Sequence, residues 1–349
     1  MKKFSIVAIV LMLFGQSYAQ NTNNKNPNKM NNTTKTEHYT FQLSDKVTRQ
    51  KVTFKNRYDI VLTGDLYTPI NGGNNLSAFA ISGPFGAVKE QSSGLYANQM
   101  AERGFVTLAF DPSYTGESSG EPRNVASPDI NTEDFSAAVD FLGIQKNIDR
   151  NKIGIIGICG FGGFALNATA VDKRVKAVAT LSMYDMSRVN ARGYFDATTP
   201  EQRTQLLEQL GEQRWKDAAN GTPAYGPNAL GSITADAPQF VKEYAAYYKT
   251  ARGFHERSLN SNASWTLTNS ISFMNMPLLT YIKEVSPRPI LLIAGEKAHS
   301  RYFSEDAFKA ANDPKELMII PNAVHTDLYD KLDVIPFDKL ETFFKANLK

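Results

Sequence analysis

The most informative segment of this 349-residue chain reads Gly157-Ile158-Cys159-Gly160-Phe161-Gly162-Gly163. The apolar run Ile153–Ile158 predicts a strand leading into it, and residues Phe164–Ala170 predict a helix leading out of it. A sharp turn from a strand into a helix needs small residues, because the two elements cross closely there. A cysteine placed at such a turn stands on a strained, exposed backbone, which is typical of a nucleophile.

Two features of this turn favour a reactive sulfur at Cys159. The dipole of the helix that follows would stabilise a thiolate, so we expect the pKa of this thiol to be lowered. The backbone N–H of Gly160 would face an oxyanion as it develops during attack. Two other interpretations remain, an inert cysteine in a glycine-rich crossing and a dinucleotide-binding turn, although the segment lacks the G-x-G-x-x-G spacing.

Short apolar runs alternate with helical patterns on both sides of the turn. This alternation predicts a mostly parallel sheet that is covered by helices on both faces. The first two predicted strands are joined by a short polar link, which indicates an antiparallel pair. The predicted strands are Lys51–Phe54, Ile60–Tyr67, Ser77–Ile81, Val106–Phe110, Ile153–Ile158, Val175–Leu181, Pro289–Ala294 and Leu317–Ile320.

One long interval, residues 186–285, interrupts this alternation. It has no convincing strand pattern, but it has helical patterns at Glu201–Trp215 and Pro238–Arg252 and many aromatic side chains. Ligands bind at the carboxyl edge of parallel strands in open α/β sheets. We therefore predict that residues 186–285 form a helical lid over that edge.

The composition argues against several classes of protein. Lys and Arg number 38 against 35 Asp and Glu, so no charge excess points to nucleic acid or to an anionic membrane as a partner. The single cysteine excludes an intramolecular disulfide and a cysteine-based zinc site. We expect a small-molecule substrate and neither a metal nor another cofactor, and the sequence leaves the oligomeric state open.

The sequence resembles the α/β-hydrolase superfamily over roughly residues 52–348, and in particular dienelactone hydrolase and X-Pro dipeptidyl peptidase-like hydrolases. The likeness rests on the cysteine turn, on Asn151–Gly157 before it, on the segment Asp111–Ser118 (DPSYTGES), and on the late histidine His325. Phe161 departs from the pattern, because the family has glycine at that position. The resemblance implies an α/β-hydrolase fold, with a mostly parallel twisted sheet flanked by helices and a helical lid insertion.

The resemblance also implies the roles of individual residues. Cys159 would be the nucleophile, and His325, just after the last predicted strand, would be its base. The oxyanion would be bound by the N–H of Gly160 and by a second N–H from the loop after the third predicted strand. That second donor would be Phe85 or Gly86.

The third member of the catalytic group is less evident. The family usually has an aspartate in a G-x-x-D pattern after the strand Pro289–Ala294, but Ala298 stands there. Asp185 is the first candidate to replace it, with Asp306 and Glu296 as alternative acids. A dyad without an acid is also possible, because a thiol ionises more readily than a hydroxyl.

These residues predict a hydrolase that acts on an ester, a lactone or another acyl substrate by covalent Cys-His catalysis. One alternative is an amide hydrolase similar to dipeptidyl peptidases. Another is a non-catalytic ligand-binding protein with the same fold, which Phe161 and Ala298 favour.

The first residues have the pattern of an export signal. Lys2 and Lys3 precede the apolar run Phe4–Phe14, and the small residues of Ser17-Tyr18-Ala19 suit a signal peptidase. The apolar run is shorter than the roughly 20 residues that a membrane-spanning helix needs. We assign residues 1–19 to a signal peptide, residues 20–40 to a disordered, Asn-rich arm, and residues 41–349 to the hydrolase domain.

We therefore predict an exported protein, periplasmic or secreted, with no stable membrane span after cleavage. N-terminal sequencing of the protein from cells that produce it should begin at or near Gln20. Intact Met1 on the protein of a cytosolic fraction would contradict the prediction.

Overall fold

The computed structural model describes residues 37–349, so the predicted signal peptide and the predicted arm before residue 37 lie outside the described residues. Eight strands of this part form one sheet. They are β1 (Val47–Lys55), β2 (Val61–Pro69), β3 (Leu76–Ser82), β4 (Val106–Phe110), β5 (Ile148–Ile158), β6 (Val175–Leu181), β7 (Ile290–Gly295) and β8 (Lys315–Ile320).

The order of the strands across the sheet is β1-β2-β4-β3-β5-β6-β7-β8. Strand β2 pairs antiparallel with β1 and β4, and every other pair in the sheet is parallel. All residues of β4 and β7 are buried, as expected for apolar strands that are covered on both faces. The predicted mostly parallel sheet is therefore confirmed, including its antiparallel first pair.

Helices flank this sheet, and α2 and α3 pack against each other, as do α1 and α11. Helix α2 begins at Pro128, which suits the first turn of a helix because its missing N–H is not needed there. The helices are α1 (Ser92–Glu102), α2 (Pro128–Gly143), α3 (Phe161–Val171), α4 (Met186–Arg192), α5 (Pro200–Asn220), α6 (Gln239–Tyr248), α7 (Leu259–Asn262), α8 (Ile271–Asn275), α9 (Arg301–Ala310), α10 (Asp327–Asp330) and α11 (Phe337–Asn347).

The interval 186–285 lies between β6 and β7 and is described in full. It holds five α-helices, α4 to α8, two short 3₁₀ helices and no strand of the sheet. None of the helices in residues 37–349 is long and apolar enough to cross a membrane.

Residues 37–40, which we assigned to the arm, pack on the domain. The hydroxyl of Tyr39 donates to Asp65 Oδ2 at 2.8 Å, and the Thr40 N–H donates to the Glu90 carbonyl at 3.0 Å. These contacts are made by a tyrosine hydroxyl and by a backbone N–H. The prediction of a disordered arm rested on its Asn-rich composition, which gives no information about either contact. Residues 37–40 therefore pack as part of the folded domain.

The crossing of β5 and α3 is close enough to require glycine at position 157. A side-chain carbon on Gly157 would lie 2.6 Å from Ala165 Cβ, far inside van der Waals contact. Phe161, where the family has glycine, causes no such conflict. Its ring is buried, 4.9 Å from the ring of Phe164 and 6.1 Å from that of Phe135.

Candidate active site

Cys159 stands at the turn between β5 and α3 with a φ of +56°. Such a φ is uncommon for a residue with a side chain and marks local backbone strain. Hydrogen bonds hold the turn in place, because the Cys159 N–H donates to Leu181 O and its carbonyl accepts from the Tyr184 N–H, both at 2.9 Å. The sulfur is thereby fixed beside the end of β6, at the carboxyl edge of the sheet.

Two backbone N–H groups face the sulfur of Cys159, those of Phe85 and Gly160, and both lower the pKa of the thiol. The loop that carries Phe85 is tied to the 186–285 segment. Asn260 Nδ2 donates to the Phe85 carbonyl at 2.8 Å, and Ser258 Oγ donates to the Gly86 carbonyl at 2.9 Å. Of the two expected second donors, Phe85 is the one whose N–H lies at the sulfur.

The expectation of a lowered pKa at Cys159 is wrong. The residue is only 7% exposed, and burial raises the pKa of the thiol above its ordinary value. The N–H groups and the hydroxyls of Tyr329 and Tyr244 oppose this effect without offsetting it. The resting sulfur is therefore a neutral thiol at pH 7.

His325 lies in the turn between β8 and α10 and is fully buried. Its Nδ1 is 2.6 Å from Ser300 Oγ, and its Nε2 is 2.8 Å from the hydroxyl of Tyr329. Burial is the main cause that holds the pKa of His325 well below its usual range, with a smaller effect from His299. The imidazole is therefore neutral, with one nitrogen available as a base.

None of the three proposed carboxylates is hydrogen-bonded to His325 in the part of the chain that the structure describes. Asp185 caps α4 by accepting the Arg188 N–H at 3.0 Å. Asp306 pairs with the Arg188 guanidinium at 2.9 Å, and Glu296 accepts a backbone N–H from the turn after β8 at 2.8 Å. Each carboxylate is thus engaged by another donor, and none of the three orients the His325 ring in this structure.

Ser300 takes the place that the sequence assigned to an acid. It immediately precedes α9 and is fully buried against His325. A hydroxyl can accept the Nδ1 proton and so fix the ring, although it supplies no charge. No spacing in the sequence pointed to Ser300, because its position depends on where α9 begins relative to the turn after β8.

A layer of tyrosines covers the site, and none of them was assigned a role from the sequence. The Tyr184 hydroxyl lies 3.1 Å from that of Tyr194 and 3.0 Å from that of Tyr244, and it contacts His299 Nε2. Burial lowers the pKa of His299 to about 3, so this histidine is neutral. The aromatic content of residues 186–285 was the available signal, since Tyr194, Tyr244 and Tyr248 all come from that segment.

The other two histidines form a pair away from this site. The rings of His38 and His255 stack at 5.3 Å, with Glu256 beside them. The Arg257 N–H donates to His255 Nδ1, so Nε2 carries the proton and donates to the His38 carbonyl at 3.1 Å. Because its Nε2 carries a proton in this arrangement, His255 does not offer that nitrogen to a metal ion. The stacked pair joins the N-terminal segment to residues 186–285.

Known proteins share both the sequence and the fold of this chain. Protein PA2218 of Pseudomonas aeruginosa is 66% identical over 310 residues, which are 88% of this chain and 83% of that protein. The chain belongs to the family of PA2218. The crystal structure of PA2218 matches this fold with a TM-score of 0.88 at 64% identity, over 92% of this chain and 100% of that one.

More distant relatives carry names that refer to hydrolases. Thiohydrolase aneE of Aspergillus aculeatus is 26% identical over 297 residues, which are 82% of this chain and 89% of that protein. The crystal structure of the α/β hydrolase GrgF from Penicillium sp. sh18 has a TM-score of 0.72 at 22% identity, over 86% of this chain and 99% of that one. No protein-family model matches the chain. The predicted α/β-hydrolase fold is confirmed.

Alkylation of Cys159, the single cysteine, tests the protonation state of the site. We expect the pH at which iodoacetamide alkylation reaches half of its maximal rate to lie higher in the folded protein than in the chain unfolded by urea. The reason is that burial raises the folded pKa, whereas the unfolded thiol titrates near its ordinary value of about 8.5.

The unfolded chain is the control, because it has the same thiol without the site. Mass spectrometry of the Cys159 peptide gives the rate in both states. If the pH of half-maximal alkylation were lower in the folded protein than in the unfolded chain, the site would stabilise the thiolate. That result would contradict a neutral Cys159 thiol beside a neutral His325 imidazole.

Proposed function

We propose that this protein is an acyl hydrolase that cleaves an ester, a lactone or another acyl substrate through a thioester on Cys159. The observation that carries the proposal is the geometry of Cys159, with its φ of +56° and the N–H groups of Phe85 and Gly160 at its sulfur. Two backbone donors beside a nucleophile are suited to bind the oxyanion of an acyl-transfer intermediate.

In the first half of the proposed reaction, the Cys159 thiol loses its proton to His325 and the sulfur attacks the substrate carbonyl carbon. The carbonyl oxygen becomes an oxyanion bound by the two N–H groups. The alcohol then leaves with the proton from His325, and an acyl thioester remains. In the second half, water gives a proton to His325 and its oxygen attacks the thioester carbon. The C–S bond then breaks, the acid leaves, and His325 returns the proton to the sulfur, which restores the thiol.

Burial determines when the charges form in this reaction. It raises the pKa of Cys159 and lowers that of His325, so both groups are neutral at rest. A thiolate and an imidazolium then form together only when the substrate carbonyl can take up the negative charge. Ser300, by accepting the Nδ1 proton, would leave the Nε2 lone pair, which faces the Tyr329 hydroxyl, to act as the base.

The interval 186–285 is proposed to act as the lid of this site. Its Tyr194 and Tyr244 hydroxyls meet that of Tyr184, and its Asn260 and Ser258 hold the loop of Phe85. A segment that both covers the nucleophile and fixes the oxyanion loop would couple substrate entry to the assembly of the site.

Acyl transfer to an acceptor other than water is a second candidate function. The specific observation in its favour is that Cys159 and His325 are both buried, since a closed site limits the attack of water on the thioester. The relatives support both reactions, because aneE is named a thiohydrolase and GrgF is also named a polyketide transferase.

The proposal is tested on a panel of nitrophenyl esters, lactones, acyl thioesters and dipeptide amides, with Cys159→Ala beside the wild type. We expect turnover of an ester, lactone or thioester that Cys159→Ala abolishes. His325→Ala should lower turnover about a hundredfold or more, the usual effect of losing a general base. Addition of a short-chain alcohol or thiol distinguishes transfer from hydrolysis by the product that forms.

Ser300→Ala and Asp185→Asn are matched variants that identify the group that orients His325. Loss of the Ser300 hydroxyl leaves a buried ring N–H unpaired, which costs about 1–3 kcal/mol and should lower turnover roughly ten- to hundredfold. Asp185→Asn should retain turnover, because this side chain caps α4 and does not touch the ring.

Four results would count against the proposal. Wild-type turnover by Cys159→Ala would exclude the proposed nucleophile, and cleavage of amides alone would favour the peptidase-like alternative. Binding of these compounds without turnover would favour a ligand-binding protein. Loss of turnover in Asp185→Asn but not in Ser300→Ala would restore the carboxylate as the orienting group.

A further inference from the structure

Tyr329 lies between the two groups to which the proposed function assigns the chemistry. Its hydroxyl is 2.8 Å from His325 Nε2, and the same hydroxyl faces the Cys159 sulfur and lowers the pKa of the thiol. The other ring nitrogen of His325 is occupied by Ser300. Both nitrogens of the imidazole are thus engaged by hydroxyls, and the hydroxyl on the Cys159 side belongs to Tyr329.

We propose that Tyr329 is a catalytic residue that relays the proton between Cys159 and His325. This inference rests on the proposed function, because it describes how the base of that reaction is reached. It adds a third side chain to the reacting group, in addition to the nucleophile and the base.

The relay is balanced in protons and charge. As the sulfur attacks, the Cys159 S–H proton moves to the Tyr329 oxygen, and the Tyr329 O–H proton moves to His325 Nε2. The tyrosine is neutral before and after the step, while the sulfur loses a proton and the imidazole gains one. The reverse movement returns a proton to the sulfur at the end of the reaction.

The hydrogen bonds of His325 accommodate the direction that the relay needs. In the tautomer that the relay uses, Nδ1–H of His325 donates to Ser300 Oγ and Nε2 accepts the Tyr329 hydroxyl proton. The lone pairs of the Tyr329 oxygen then remain free to accept from the Cys159 thiol. Burial, the largest cause, keeps the pKa of Tyr329 well above its usual range, so it stays protonated and does not act as a base itself.

Packing holds the Tyr329 hydroxyl in this position. The side chain is fully buried, and its ring lies edge-on to those of Tyr247, at 5.1 Å, and His325, at 5.3 Å. Arg252 fastens α10, the short helix that carries Tyr329, through Asp330 Oδ2 and the Thr326 carbonyl, each at 2.8 Å. A relay group needs this restraint, because proton transfer requires hydrogen-bond distances at both ends.

A second tyrosine near the sulfur does not offer an equivalent path. The Tyr244 hydroxyl also faces Cys159, but its hydrogen bond leads to Tyr184, at 3.0 Å, and from there to His299. Of these two hydroxyls, Tyr329 is therefore the one that connects the thiol to the proposed base.

The test is a double-mutant cycle of Tyr329→Phe and His325→Ala, with Tyr247→Phe as the matched control. Tyr247 is equally buried beside Tyr329, but its hydroxyl has no hydrogen-bond partner within residues 37–349. Two rates are measured for each variant, turnover of the best substrate of the panel and alkylation of Cys159 by iodoacetamide at pH 7. Thermal unfolding checks that each variant is folded.

We expect Tyr329→Phe to lower both rates about ten- to hundredfold and Tyr247→Phe to leave them unchanged. Tyr329→Phe should have little further effect in the His325→Ala background, because two groups on one path do not contribute additively. Additive losses in the double variant would show that Tyr329 acts independently of His325. Unchanged rates in Tyr329→Phe would show that the proton passes directly from Cys159 to His325, and faster rates would show that Tyr329 blocks this transfer. Each of these results would overturn the relay.

Cys159→Ala separates the two proposals. If it retains wild-type turnover, the proposed function fails whatever the effect at Tyr329. If it abolishes turnover while Tyr329→Phe keeps both wild-type rates, the relay alone fails.

Discussion

The close crossing of β5 and α3 is the constraint on which the rest of the site depends. The two elements can meet at this angle only because Gly157 has no side chain to strike Ala165. The crossing leaves Cys159 at a positive φ, from which its sulfur reaches the N–H groups of Phe85 and Gly160. The local geometry of this turn thus places the proposed nucleophile beside the N–H of Gly160, and the loop after β3 adds the N–H of Phe85.

Burial changes the pKa values of Cys159 and His325, which the sequence of the turn alone does not indicate. The helix dipole and the N–H groups favour a thiolate, but exclusion of water from Cys159 favours the thiol more strongly. The same exclusion keeps His325 neutral. In the proposed reaction, as in a serine hydrolase, proton transfer would therefore be coupled to attack, with the sulfur of Cys159 as the nucleophile.

The parts of this site that could be predicted from the sequence are those that depend on neighbours along the chain. The turn at Cys159 and the alternating strands belong to this class, because local spacing determines them. Ser300 could not be predicted, since its contact with His325 depends on how α9 and the turn after β8 meet in space. The rise in the pKa of Cys159 was missed for a similar reason, because residues 186–285 contribute to its burial.

The central claim is that Cys159 carries the acyl group, and trapping the intermediate tests it most directly. The protein is mixed with an ester or thioester that it turns over, quenched in acid within one turnover, and digested for mass spectrometry. The account predicts the acyl mass on the peptide that contains Cys159 and its loss on treatment with hydroxylamine, which cleaves thioesters. An acyl group on a serine or another residue, with Cys159 unmodified, would contradict the account.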